Sequence, residues 1–334
     1  MKLTLRTLPF LALLISLIAC SNELPKTMKL VAGSGNAGFT DGKSADLHKP
    51  IRFAPYTENS IIFADINNHA IRIATIDGEV TTIVGGPNNT GYEDGPAETA
   101  KIKSPHGVAY DKKSDKIYVA EAGNHTVRVI TKNAQGGFEV TTLAGAPDRV
   151  GFLDGPADSA KFISPHAVIV CSDGGIAVAD IGNARIRKIK DGMVTTIAGG
   201  GEGDNSDGTP EEASFKYVMD IVSDGESIYM ADAGSHIIRK IVPGKEVTTL
   251  TLSDTLSTPH GIAVDNNKNL YIADMGTHRI LKIDQAGNVT AIAGTGQSGS
   301  ELLQLDKPAA VLVHGKYLWI ADLNNHQIKV LEIN

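Results

Sequence analysis

Ala64-Asp65-Ile66-Asn67-Asn68-His69-Ala70-Ile71-Arg72 decides the fold, because it recurs down the chain. The copies read AEAGNHTVR from Ala120, ADIGNARIR from Ala179, ADAGSHIIR from Ala231, ADMGTHRIL from Ala273 and ADLNNHQIK from Ala321. Each places a Gly- or Asn-type turn between runs rich in Ile, Val and Tyr, the pattern of antiparallel strands joined by a hairpin. Six copies with strand-like flanks predict the blades of a β-propeller.

The second unit shows the full layout. Ser104 to Ala109 reads as a first strand, Lys116 to Ala120 as a second, Thr126 to Ile130 as a third and Val140 to Gly145 as a fourth. Four such strands are one blade. The fourth-strand signal returns at Val80, Val194, Val247 and Val289, but the last unit lacks it. Met28 to Gly33 resembles a fourth-strand end, and the expectation is that it completes the sixth blade and closes the ring, removing exposed sheet edges. The predicted fold is all-β, a six-bladed β-propeller over residues 28–334.

Crossovers into the first four blades carry Asp-Gly insertions at Asp41, Asp94, Asp154 and Asp207, each followed by an Ala-x-apolar triplet such as Ala160-Lys161-Phe162. The apolar member is expected beneath the loop, and the crossovers on one face, where repeat insertions often form a binding surface. Asp204 to Gly208 is acidic, but Phe215 stands where a calcium loop needs its bidentate Glu.

The N-terminus differs in kind. Lys2 and Arg6 precede an apolar run from Leu8 to Ile18 that is short for a span of roughly 20 residues, so it reads as an export signal. Leu17-Ile18-Ala19-Cys20 resembles the lipobox of bacterial lipoproteins. That resemblance implies removal of residues 1–19, lipidation of Cys20 and a tether over 20–27, with the chain held at the cell envelope, on an outer membrane or periplasmic face. Loss of Lys2 and Arg6 takes the formal charge from −7 to −9, and an acidic chain without a basic run argues against nucleic acid as a partner. Of the two cysteines, only Cys171 then keeps a thiol, which precludes an internal disulfide and is expected to be buried. A single monomeric propeller domain is expected.

The succession of a Pro-Gly-type first strand, a Tyr-(Ile/Val)-Ala-Asp strand and Asn-His-x-Ile-Arg resembles the NHL repeat over residues 28–334. The resemblance implies a six-bladed propeller that either binds macromolecules or supports chemistry at its channel. Two enzyme classes share it: the peptidyl-hydroxyglycine amidating lyase, with zinc on Pro-His histidines, and gluconolactonase-like propellers, with a divalent ion on channel carboxylates and an amide.

The turn histidines His69, His125, His236, His278 and His326 are spread around a ring and cannot converge on one ion, so they read as scaffold. Their preceding acids are expected to accept backbone hydrogen bonds at the turn, with the following Gly or Asn at positive φ. Arg72, Arg128, Arg187 and Arg239 are expected to pair with neighbouring blades. Starts of first strands instead face the axis. There Pro105-His106, Pro165-His166 and Pro259-His260 match the lyase motif, so His106, His166 and His260 are carried over as candidate metal ligands for zinc or another divalent ion. They fall on blades two, three and five, not on alternate blades as the resemblance requires. Arg52 and Asp220 join them as candidate channel residues. The preferred reading is a non-catalytic envelope lipoprotein without a resident cofactor that binds a protein, peptide or glycan; the alternative is a metal-dependent lyase or hydrolase.

Overall fold

The structure, a computed structural model, describes residues 28–200 and 205–333. The signal, Cys20 and the tether lie outside the described residues.

Six antiparallel sheets form the blades. Their first strands are Pro50–Thr57, Pro105–Asp111, Pro165–Val170, Val218–Ser223, Pro259–Val264 and Pro308–His314. Each packs against the first strands of both neighbouring blades, so these six strands surround the axis and the last closes onto the first. In the sixth blade the order runs from Met28–Ala32 outermost, through Gln327–Glu332 and Tyr317–Asp322, to Pro308–His314 innermost. Met28 pairs with Leu331 and Leu30 with Lys329, which is the expected ring closure. Side chains of both blade faces are buried between neighbouring sheets, which is why Ser60–Asp65 and Ile228–Asp232 have no exposed member.

The crossover insertions pair with the start of the outermost strand: Gly95 opposite Val140, Gly155 opposite Val194, and single bridges from Gly42 to Val80 and Gly208 to Val247. The expected apolar anchors are buried beneath them, with Leu47, Ile102, Phe162 and Phe215 at most 5% exposed. Both ends of each crossover and the repeat turns share one edge of the disc, here the crossover face; Asn68 Nδ2 donates to Gly38 O and Asn183 Nδ2 to Gly151 O.

Four expectations need correction. Positive φ falls on the histidine of the repeat turn, not on the Gly or Asn before it: φ is 52° at His69, 57° at His125 and 50° at Ala184. The backbone N–H groups that the turn aspartates accept come from the incoming crossover, not from their own hairpin: Asp65 Oδ1 takes His48 N at 2.8 Å and Asp180 Oδ1 takes Ile163 N at 2.8 Å, while the hairpin supplies only side-chain donors such as Asn68 and Asn183. The arginines pair within their own blade and with the crossover carboxylate. Arg72 Nη1 lies 2.8 Å from Asp65 and its Nη2 2.9 Å from Asp41, which also accepts Thr82 N. Finally, Cys171 is half-buried, not buried, because it stands at the end of a first strand.

Inter-blade contact is made by the turn histidines instead. Nδ1 of His69, His125, His278 and His326 accepts N–H of Ser104, Ser164, Lys307 and Lys49 at 3.0–3.2 Å, each in the next blade. Those four acceptances hold four non-glycine residues at positive φ just before a proline. Blade three carries Ala184 in the histidine slot, and there Tyr217 N turns to Asp232 of its own blade.

Candidate functional site in the central channel

Arg52 begins on the first strand of blade one and crosses the axis. Its Nε lies 3.1 Å from Asp220 Oδ1 on blade four. Its Nη1 donates to Ile51 O and Ala309 O, and its Nη2 to Met219 O and His260 O. The Nη donors therefore meet carbonyls of the channel wall, while the buried Nε faces the Asp220 carboxylate as an ion pair without an aligned hydrogen bond. Asp220 is equally engaged: Oδ1 also accepts Ile221 N at 2.9 Å and Oδ2 accepts Ile262 N at 3.0 Å. Both residues are buried, at 5% and 6% exposure. Burial raises the Asp220 carboxyl, while Arg52 and the two N–H donors pull it back.

The histidines line the crossover side of this pair. His106 and His166 stack, with ring centroids 4.1 Å apart and planes 12° from parallel. His260, on blade five opposite blade two in the ring, lies with Nδ1 2.8 Å from Ala309 O and 3.3 Å from Arg52 Nη1. His106 Nδ1 lies 3.2 Å from Ser104 O. A neutral imidazole that donates Nδ1–H to a carbonyl keeps Nε2 as a lone pair. His166 Nδ1 is buried without a partner. Burial holds His106 at about 4, His166 at about 2 and His260 at about 3, and the Arg52 charge adds to each shift. All three are neutral at pH 7. On the other side of the pair, a cavity of about 330 Å³ opens to the far face between Val108, Ile169, Val222, Val264 and Leu312, with Arg52 and Asp220 as its floor.

This arrangement does not fit the metals that the resemblance implies. Zinc on three imidazoles needs in-plane lone pairs converging at about 2.0–2.1 Å. The near-parallel rings of His106 and His166 direct theirs side by side. A carboxylate site fares no better, because Asp220 has its oxygens committed to a guanidinium and two backbone N–H groups. Among the described residues no three His, Cys, Asp or Glu side chains are grouped as ligands of one ion.

The pairing of the blade arginines with the crossover aspartates goes beyond the pairing with neighbouring blades that the repeat suggests, although the chain carries a signal for it. Blades one to four combine an insertion Asp with Arg72, Arg128, Arg187 and Arg239, whereas blade five has neither the insertion nor the arginine, Leu281 standing in its slot.

A closed ring of six four-stranded blades around a channel bridged by one buried ion pair defines a six-bladed β-propeller. A family described as SMP-30/Gluconolactonase/LRE-like region matches residues 54–297, and the chain belongs to it. It is 28% identical over 337 residues to NHL repeat-containing protein 2 of Bos taurus, which aligns with 83% of this chain and 45% of that protein. The chain thus spans less than half the length of this curated relative. Two solved structures share the fold. An auxiliary nutrient binding protein from Bacteroides ovatus has a TM-score of 0.63 at 14% identity, over 91% of this chain and 75% of that one. A gluconolactonase from Xanthomonas campestris has 0.60 at 14%, over 86% and 87%.

Proposed function

We propose that the protein is a non-catalytic, lipid-anchored cell-envelope propeller that binds a protein, peptide or glycan. The observation that carries this reading is the Arg52–Asp220 pair, which commits the channel's carboxylate to structure and sets a fixed guanidinium beside the histidines. Likeness in fold to a nutrient binding protein is compatible with it. Anchoring rests on the Leu17 to Cys20 motif: Cys20→Ala should move the chain from the membrane fraction to the soluble one.

A lyase or hydrolase reading draws on His106 and His260, whose Nδ1 atoms meet backbone carbonyls as those of metal-bound histidines do. Elemental analysis of the purified chain separates the two. The binding reading expects no stoichiometric divalent ion and a melting temperature unchanged by chelator. One zinc per chain, lost in His260→Ala, would replace it with the enzyme reading.

A further inference from the structure

On the crossover face every blade contributes a cation, and four of these six stand at the channel mouth. Lys49, Lys103, Lys216 and Lys307 stand one or two residues before the first strands of blades one, two, four and six, and Arg185 and Arg279 open the third strands of blades three and five. None is within ion-pair distance of a carboxylate among the described residues, whereas lysines elsewhere, such as Lys101, Lys132 and Lys268, are. The carboxylates of the repeat turns, and the one beside Lys307, are withdrawn. The turn acids from Asp65 to Asp322 are fully buried, and Asp306, beside Lys307, lies 3.5 Å from His278. Burial first, and then Lys103, holds both His69 and His125 below the ordinary imidazole value, and Lys49 contributes likewise at His326. This is a positive mouth on a chain of formal charge −7.

Apolar surface accompanies it. Of nine exposed large apolar side chains among the described residues, seven lie on crossover segments, Tyr92, Phe152 and Tyr217 among them. Phe152 stacks beneath Arg185, with the guanidinium carbon 4.3 Å from the ring centroid.

We propose that this face docks an acidic peptide segment bearing apolar residues, its carboxylates against the ring of cations and its apolar side chains against the crossovers. The inference rests on the binding-module reading and names its partner chemistry. Rim charges of this kind steer encounter and select partners more than they add affinity. A peptide is favoured over an acidic glycan because the apolar surface is spread over the crossovers, beyond the channel mouth.

The test is fluorescence anisotropy of a labelled short peptide of alternating Glu and Leu, titrated with the full chain against its Gln and Leu analogue. The Glu peptide should bind saturably and more weakly as salt rises. Lys103→Glu/Lys216→Glu/Lys307→Glu should weaken binding by about tenfold or more, and Lys112→Glu/Lys113→Glu on the far face by less than about twofold. If the triple variant melts lower than the parent, Lys216→Glu alone carries the comparison. Equal binding of both peptides, parental affinity in the mouth variants, or binding of an oligouronate in place of the peptide would each overturn the proposal. A metal-free chain that ignores the peptide leaves the binding-module reading standing; stoichiometric zinc removes that reading whatever the peptide does.

Discussion

Arg52 Nε and Asp220 Oδ1 lie 3.1 Å apart across the channel, joining blade one to blade four on the opposite side of the ring. The pair is buried, and such pairs do little for net stability when compared with apolar substitutes, yet removing one partner leaves a charge stranded at a cost of about 3–5 kcal/mol. Its contacts with Met219 O, His260 O and Ala309 O extend the link to blades four, five and six.

The same physics applies inside the blades. Arg128 is fully buried between Glu121 and Asp94, so Arg128→Ala should lower stability by about 3–5 kcal/mol in denaturant titration. Lys132, whose pair with Asp115 is about half exposed on both sides, should cost less than about 1 kcal/mol when changed to Ala. Equal effects would mean that the blade arginines are ordinary surface ion pairs.

Ring closure rests on Met28–Ala32, which supplies the outermost strand of the sixth blade. Removing residues 28–32 exposes the edge of Gln327–Glu332 and uncovers Leu331 and Val330. The truncated chain should fail to give a cooperative thermal transition. Cooperative melting at the parental temperature would show that the strand is not a closing element.

Acid should loosen the channel. His106, His166 and His260 are neutral in the folded state down to about 4, 2 and 3, against an ordinary value of about 6.5 when unfolded. Between about pH 6.5 and 4 the unfolded chain binds protons that the folded chain does not, so stability is full above that window and falls as pH drops through it. Each histidine contributes a slope of up to about 1.4 kcal/mol per pH unit. Melting temperature measured against pH should follow this fall, and His166→Phe should flatten it.

Much of this architecture was legible in the repeats. The six copies from Ala64 to Ala321 and the orphan strand at Met28 were sufficient for blade number and closure, because strand period and turn chemistry are local. What the turn residues do was less legible. His69 and its equivalents act on the next blade, and Asp65 acts on a crossover about seventeen residues upstream, contacts that local turn rules do not contain. At the channel, the convergence of first-strand starts follows from the repeat, but the crossing of Arg52 to Asp220 depends on side-chain length and on which carbonyls line the wall. The stacking of His106 on His166 follows from ring placement that spacing along the chain does not specify.

A double-mutant cycle on Arg52→Met and Asp220→Leu measures whether a guanidinium–carboxylate pair is the electrostatic closure of this channel. Each single substitution should lower stability by about 3–5 kcal/mol, the double variant should lie within about 1.5 kcal/mol of the parent, and the coupling should exceed about 2 kcal/mol. Additive losses, with no coupling between the two positions, would contradict that closure.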